Sequence, residues 1–486
     1  MNIDEILEKY ELTVGIECHV QLATKTKLFS GADNDERDKS PNSVVSPIDF
    51  GLPGMLPVLN RGAIDLAIKA GKALNSPISL VSRFDRKHYF YPDLPKGYQT
   101  TQMYQPIIGP GVINVPLEDG SSVDVRIHHA HLEEDAGKLT HHGSFSLVDL
   151  NRSGTPLIEI VSEPDIHSAS AAKAYTIELY RLMTYSGVSR GDLYHGNMRF
   201  DVNVSVALKD SDKLGTRSEV KNLNSFRSVE RAVDYEFCRQ IEMLEKGDSV
   251  VQETRGWDET KQKTIVQRNK EEAQDYRYMP DADIPPVVLS SNEIERIQST
   301  MPNLPHFYRE SWKVVGFDPT VVNALLASRS AAELIQRVLE KKGAMAAKRV
   351  GFWFIMAQSE LLDADDVTSE NEIPISDGYF IELSDMVESS ELSATAAKDV
   401  FFEMLKSSND PRTIATEKNL IQVSDESEIM VVVDEVLADV SSQKAVEDLK
   451  NGNEKVIGFL VGQVMKKSGG KANPSLVQEL IRKRVK

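Results

Sequence analysis

The sequence predicts an α+β fold: a largely antiparallel β-sheet cradle with helices, then an all-helical middle domain and a small helical tail domain. Three observations carry this. Between residues 1 and 292 several segments alternate apolar and polar residues with period two, the pattern of strands with one wet face. From about residue 293 the periodicity turns helical and Ala, Leu and Glu dominate. Beyond the turn signal at residues 409–411 a short helical stretch ends in a run of cations. The expected divisions are 1–292, 293–408 and 409–486, in keeping with the roughly two to four domains suggested by this chain length.

The first strand falls at residues 12–22, LTVGIECHVQL. Leu12, Val14, Ile16, Cys18, Val20 and Leu22 share one face, and Thr13, Gly15, Glu17, His19 and Gln21 the other. Glu17 and His19 therefore project together, about 6 to 7 Å apart along the strand. A helix is expected at residues 63–74. Gly120, Ser121 and Ser122 read as a hairpin turn, and no nucleophile is assigned there.

Residues 131–165 hold the densest chemistry in the chain, with His131, Glu133, Glu134 and Asp135 in one group and Asp149, Asn151, Arg152, Glu159, Glu163 and Asp165 in the next. Glu159 sits inside the apolar run Pro156, Leu157, Ile158, Ile160, Val161, which reads as a buried strand. A carboxylate so placed costs several kcal/mol, on the order of polar burial penalties, unless a cation or donors meet it. Something positive should face Glu159. Carboxylates with one His and no Cys suit Mg²⁺ or Mn²⁺ better than structural zinc, and a Mg²⁺ site implies a phosphate partner.

Helices follow at residues 169–186 and 225–246, the latter opened by the capping candidates Asn224 and Ser225 and closed at Gly247. Between them residues 200–208 alternate, with Phe200, Val202, Val204 and Val206 opposite Asp201, Asn203 and Ser205. That polar column lines either the same cavity or water. In the helical half, residues 362–372 are acidic, residues 456–467 are amphipathic, and Asn473 before Pro474 starts a final helix.

Composition limits the classes. The formal charge of −18 argues against a general polyanion-binding surface. From Lys455 onward, however, eight cations face the single acid Glu479. Nucleic-acid contact and cations favoured at helix C-termini both account for that run. Two cysteines, Cys18 and Cys238, exclude a disulfide scaffold and a four-cysteine zinc site within the chain. Neither a signal-peptide pattern nor a run of about 20 apolar residues is found, so the expectation is a soluble cytoplasmic protein with no membrane partner. No Walker A loop and no G-x-G-x-x-G occur.

The stretches GIECHVQL, FDRKHYFYPDLPKGYQ, HLEEDAGK, DLNRSGTPLIEIVSEPD, EVKNLNSF, ETRGWDE, DYRYMPDADIPP and EKVIGFLVGQVMKKSGGKANP run in order from residue 12 to the C-terminus. Together they closely resemble the B-subunits of the tRNA-dependent amidotransferases, the GatB family. The resemblance implies a glutamine-dependent ligase that makes Gln-tRNA(Gln) from Glu-tRNA(Gln), Asn-tRNA(Asn) from Asp-tRNA(Asn), or both. The B-subunit would activate the side-chain carboxyl with ATP and Mg²⁺, and ammonia from an amidase A-subunit, assembled with a small C-subunit, would displace phosphate. By the same resemblance His19, Glu134 and Glu159 hold the metal, with Glu17 and Glu133 flanking it. Lys87 and Lys96 match positions along the ammonia route. The tail domain, with Lys466, Lys467 and Lys471, grips tRNA. Residue type alone suggests Lys138, Arg152 and Lys221 as phosphate partners. Cys18 stands where an aliphatic residue is expected, and SGADNDERDKS replaces a Cys-containing loop, so no zinc is expected.

Two other classes compete: a non-catalytic tRNA-binding scaffold with a structural acidic cluster, and a metal-dependent hydrolase acting alone. Absence of a nucleophile or zinc set weakens the hydrolase.

Overall fold

Period-two patterning is realised most fully in β1 (Tyr10–Gln21), where Val14, Ile16, Cys18 and Val20 are buried while Glu17, His19 and Gln21 stay half-buried on the other side. A computed structural model describes residues 8–209, 211–269, 275–361, 375–422, 426–469 and 472–485. The chain divides into two compact units, Met1–Tyr308 and Arg309–Lys486.

Strands of the first unit continue with β2 (Val81–Ser82), β3 (Asp85–His88), β4 (Tyr98–Thr101), β5 (Gly111–Pro116), β6 (Ser122–Glu134), β7 (Lys138–His142) and β8 (Phe145–Asp149). They end with β9 (Pro156–Ser162), β10 (Met198–Leu208), β11 (Ser218–Leu223), β12 (Glu253–Asp258), β13 (Lys263–Asn269), β14 (Met279–Pro280) and β15 (Val287–Val288). Eight of them form one sheet in the order β13-β12-β11-β10-β1-β9-β6-β5. Neighbours are antiparallel throughout except for the parallel pair β11/β12, so the expected largely antiparallel sheet is what forms. Smaller sheets run β14-β3-β4, β15-β2 and β7-β8. Gly120, at φ 86°, makes the turn between β5 and β6, a left-handed backbone that favours glycine.

Helices Ala169–Tyr185 and Phe226–Glu245 pack on each other and on β1. Tyr175, Leu179 and Met183 of the first, and Val229, Ala232 and Val233 of the second, are fully buried. Each large aliphatic removed from water there stabilises the unit by about 1.5–3 kcal/mol. Of the two capping candidates, Ser225 is the cap, its Oγ accepting from Ser228 N at 3.0 Å. Ser168 caps the earlier helix in the same way through Ala171 N.

Among its described residues the second unit has helices and no strand. Trp353, Phe354, Phe380 and Phe401 form its aromatic centre, with Phe354 and Phe401 5.1 Å apart edge-to-face. Asp410 caps helix Pro411–Glu417, which packs on helices Asp377–Glu388 and Ala394–Ser407. A separate cluster of Ile429, Val433, Leu460, Val464, Val477, Leu480 and Ile481 holds the last helices together. Helix Pro474–Val485 begins as expected, with Asn473 Oδ1 accepting from Ser475 N at 2.9 Å. The acidic stretch 362–372 lies outside the described residues.

Candidate active site

Register places one row of side chains across the polar face of the sheet. Arg199 of β10 pairs with His19 of β1, His19 with Glu159 of β9, and Glu159 with His131 of β6. Opposed residues in such ladders stand about 4.5–5.5 Å apart at Cβ, so their polar ends converge. His131 Nε2 lies 3.3 Å from Glu159 Oε2 and 3.7 Å from Glu133 Oε2. His19 Nε2 lies 3.7 Å from Glu159 Oε2 and 3.4 Å from Glu133 Oε1. Glu133 joins because it is two residues from His131 and so shares its face.

Electrostatics explain why these buried groups are tolerated. Burial opposes a charge on His131, yet hydrogen bonds to Glu133 and Glu159 prevail and hold its pKa at about 9. Burial likewise opposes ionisation of Glu159, but His131 foremost, with His19 and Lys87, holds its carboxyl well below the usual range. The cation anticipated opposite Glu159 is therefore His131, with Lys87 adding positive charge nearby. His131 Nδ1 lies 3.2 Å from His129 Nε2, which helps fix the ring. Glu17, on the same face, has its carboxyl pushed up by burial and by Glu159 and Glu219, while Asn203 Nδ2 donates to it at 3.0 Å.

Ligand atoms of His19, Glu133 and Glu159 all lie within 4.8 Å of one another, a spacing one divalent cation bridges. Two carboxylates and an imidazole without thiolate fit Mg²⁺ or Mn²⁺. The set differs from the expected one at Glu134. Its carboxylate leaves from the opposite face of β6, where Lys96 Nζ pairs with it and Thr100 N donates to it at 2.9 Å. Strand alternation forbids Glu133 and Glu134 from serving one cation on one face.

Other expected residues scatter. Lys87 joins the cluster: its charge is felt by Glu133 and Glu159, and its Nζ stands 4.9 Å over the Tyr276 ring. Lys221 lines the adjoining cleft of about 270 Å³ with His19, Tyr89, Asp135, Arg199 and Asp201, but it is paired with Asp201 at 2.8 Å and Glu219 at 2.9 Å. Lys138 sits in the β7–β8 hairpin and lines a different cleft, beside Arg37, Lys39 and Arg190. Arg152 donates to the Ala136 and Gly137 carbonyls, at 3.1 and 2.8 Å, and lies 3.3 Å from Asp135. Asp149 and Asn151 anchor the loop of Ser40 to Val44, and Asp165 pairs with Arg126. Sequence reasoning misses Arg199, although counting back two from Asp201 puts it on the polar face.

In the tail, Lys467 pairs with Glu435 at 2.8 Å and Lys466 stands in the last turn of helix Ile457–Lys467. Lys471 lies outside the described residues. Among the described residues no helix is long and apolar enough to cross a membrane.

Comparison with known proteins finds two family models in this chain. The GatB/GatE catalytic domain matches residues 12–295, and the GatB domain matches residues 333–485. The aspartyl/glutamyl-tRNA(Asn/Gln) amidotransferase B-subunit of Carboxydothermus hydrogenoformans is 43% identical over 484 residues, 98% of this chain and 99% of that one. The protein of the same name from Thioalkalivibrio sulfidiphilus is 44% identical over 484 residues, covering 98% and 100%.

Proposed function

Since this chain belongs to the GatB family, the B-subunits of aspartyl/glutamyl-tRNA(Asn/Gln) amidotransferase, we propose that its cradle site activates the side-chain carboxyl of Glu-tRNA(Gln), Asp-tRNA(Asn) or both, at the expense of ATP, for amidation. The observation that carries this is the row His19–Glu159–His131 with Glu133 beside it.

A carboxylate oxygen of the aminoacyl group attacks the γ-phosphorus of ATP, the bond to the β-phosphate oxygen breaks, and ADP leaves. Ammonia nitrogen then attacks the acyl carbon, the carbon–oxygen bond to phosphate breaks, and phosphate departs with the surplus proton. Such chemistry asks mainly for positioning and charge neutralisation. A divalent cation bound by His19, Glu133 and Glu159 would supply that neutralisation. His131 keeps Glu159 ionised and lies within reach of Glu133 as well, and Lys87 adds positive charge beside them. Ammonia would come from a partner amidase, the A-subunit, in a cytoplasmic assembly with a small C-subunit. Residues 409–486 would hold the tRNA.

The test is amidation of each mischarged tRNA by this chain assembled with both partners, with glutamine or ammonium as donor. Product that requires ATP and Mg²⁺ supports the reading, and Glu159→Ala should abolish it while tRNA binding persists. An assembled complex that binds tRNA but makes no product with either donor would indicate a scaffold instead.

A further inference from the structure

We propose that Arg199 binds the phosphoryl group in this cleft, a role that rests on the ATP-dependent reading above. The cations suggested by residue type are engaged or elsewhere: Lys221 is held by two carboxylates, Arg152 by two carbonyls and Asp135, and Lys138 lines another cleft. Arg199 differs. It stands next to His19 in the cross-strand row, on the side away from Glu159, and lines the cleft with Glu133.

Its fixing is one-sided. Nη2 donates to Asp135 Oδ2 at 2.6 Å, which aims the guanidinium, whereas Nε is buried with no hydrogen-bond partner among the described residues. An unmet buried donor is costly unless a ligand oxygen or water meets it. A guanidinium aimed by one bond to Asp135 and lining the cleft beside ligands suited to a divalent cation matches a tetrahedral oxyanion. Both phosphate and the substrate carboxylate could use such a guanidinium. Glu17, Glu133 and Asp201 crowd this face with acidic groups, so a phosphoryl group entering it needs a second cation beside the divalent one, and Arg199 is placed to supply it.

Asp135 is then a positioning residue, and because Arg152 also lies 3.3 Å from it, replacing Arg199 leaves no bare buried carboxylate. The assembled enzyme with ammonium as donor is assayed as wild type, Arg199→Ala, Arg199→Lys and Glu159→Gln, with KM measured for ATP and for mischarged tRNA. Arg199→Ala should lower kcat by about 10²–10³-fold, as loss of one oxyanion donor does. Arg199→Lys should fall between, and added guanidinium should partly restore Arg199→Ala but not Glu159→Gln. Three results overturn the assignment: full activity of Arg199→Ala beside an inactive Glu159→Gln; a rise in KM for tRNA alone, which would make Arg199 a carboxylate clamp; or inactivity that neither Lys nor guanidinium relieves, which would mark a structural role. Full activity of Glu159→Gln would instead place the ATP-dependent step outside this cleft and remove the site assignment on which the proposal stands.

Discussion

Glu133 and Glu134 are consecutive in sequence and belong to different sites: the first lies 3.4 Å from His19 Nε2 and the second is paired with Lys96 and with Thr100 N. Their separation follows from strand alternation, and it makes the two residues separable by experiment. Glu133→Gln should cost cation affinity and about 10²–10³-fold in amidation, with little change in melting temperature. Glu134→Ala strips a buried partner from Lys96 and should cost about 3 kcal/mol of stability. Mn²⁺ titration and thermal unfolding of both variants check this, and equal loss of cation affinity in the two would overturn it.

The last helices should depend on their own apolar cluster. Leu480 is fully buried among Val433, Leu460 and Val477. Leu480→Ala should destabilise this part by about 2–5 kcal/mol through lost transfer energy and a residual cavity. Urea unfolding followed by hydrogen exchange in helix Pro474–Val485 would measure it.

Asp377 provides a pH signature far in sequence from the cluster. Burial opposes its charge, but Arg337 Nε at 2.9 Å and Lys341 Nζ at 3.0 Å hold the carboxyl below its ordinary range. A depressed folded pKa contributes stability that is complete above the unfolded value and is lost as pH falls through the folded one. Wild type should therefore exceed Asp377→Asn by about 1 kcal/mol or less at neutral pH, the partners being exposed. That advantage should begin to fade below about pH 4 and shrink further as pH falls, and a difference undiminished at pH 2 would contradict it.

Lys466 and Lys467 distinguish the two accounts of the basic tail. Lys467 is paired with the exposed Glu435, a pair worth about 1 kcal/mol at most. If these lysines meet phosphates, the double Ala variant should weaken tRNA binding and reduce the salt slope by about 1 per lost contact. An unchanged slope would assign them to the helix C-terminus alone.

Much of the site is legible in the sequence. Period-two alternation identifies β1, β9 and β10 and places Glu17 with His19, and burial of Glu159 among aliphatics announces a cation opposite it. Arg199 is within reach of the same count, two residues before Asp201. What alternation cannot supply is which strand lies beside which: Glu159 meets both His19 and His131 because β9 lies between β1 and β6, a pairing of segments more than a hundred residues apart in sequence on one side.

The sequence by itself determined the α+β class, the strand faces, the start of the final helix at Asn473 and, through the motifs it shares with its relatives, the family. Those properties are local, written in side-chain periodicity and in short contiguous runs. Only the tertiary structure decided that Glu133 rather than Glu134 joins His19, that Lys138 belongs to another cleft, and that Arg199 keeps an unmet donor. Each of those outcomes depends on register and packing between distant segments, which fix where a charged side chain ends and what it meets there.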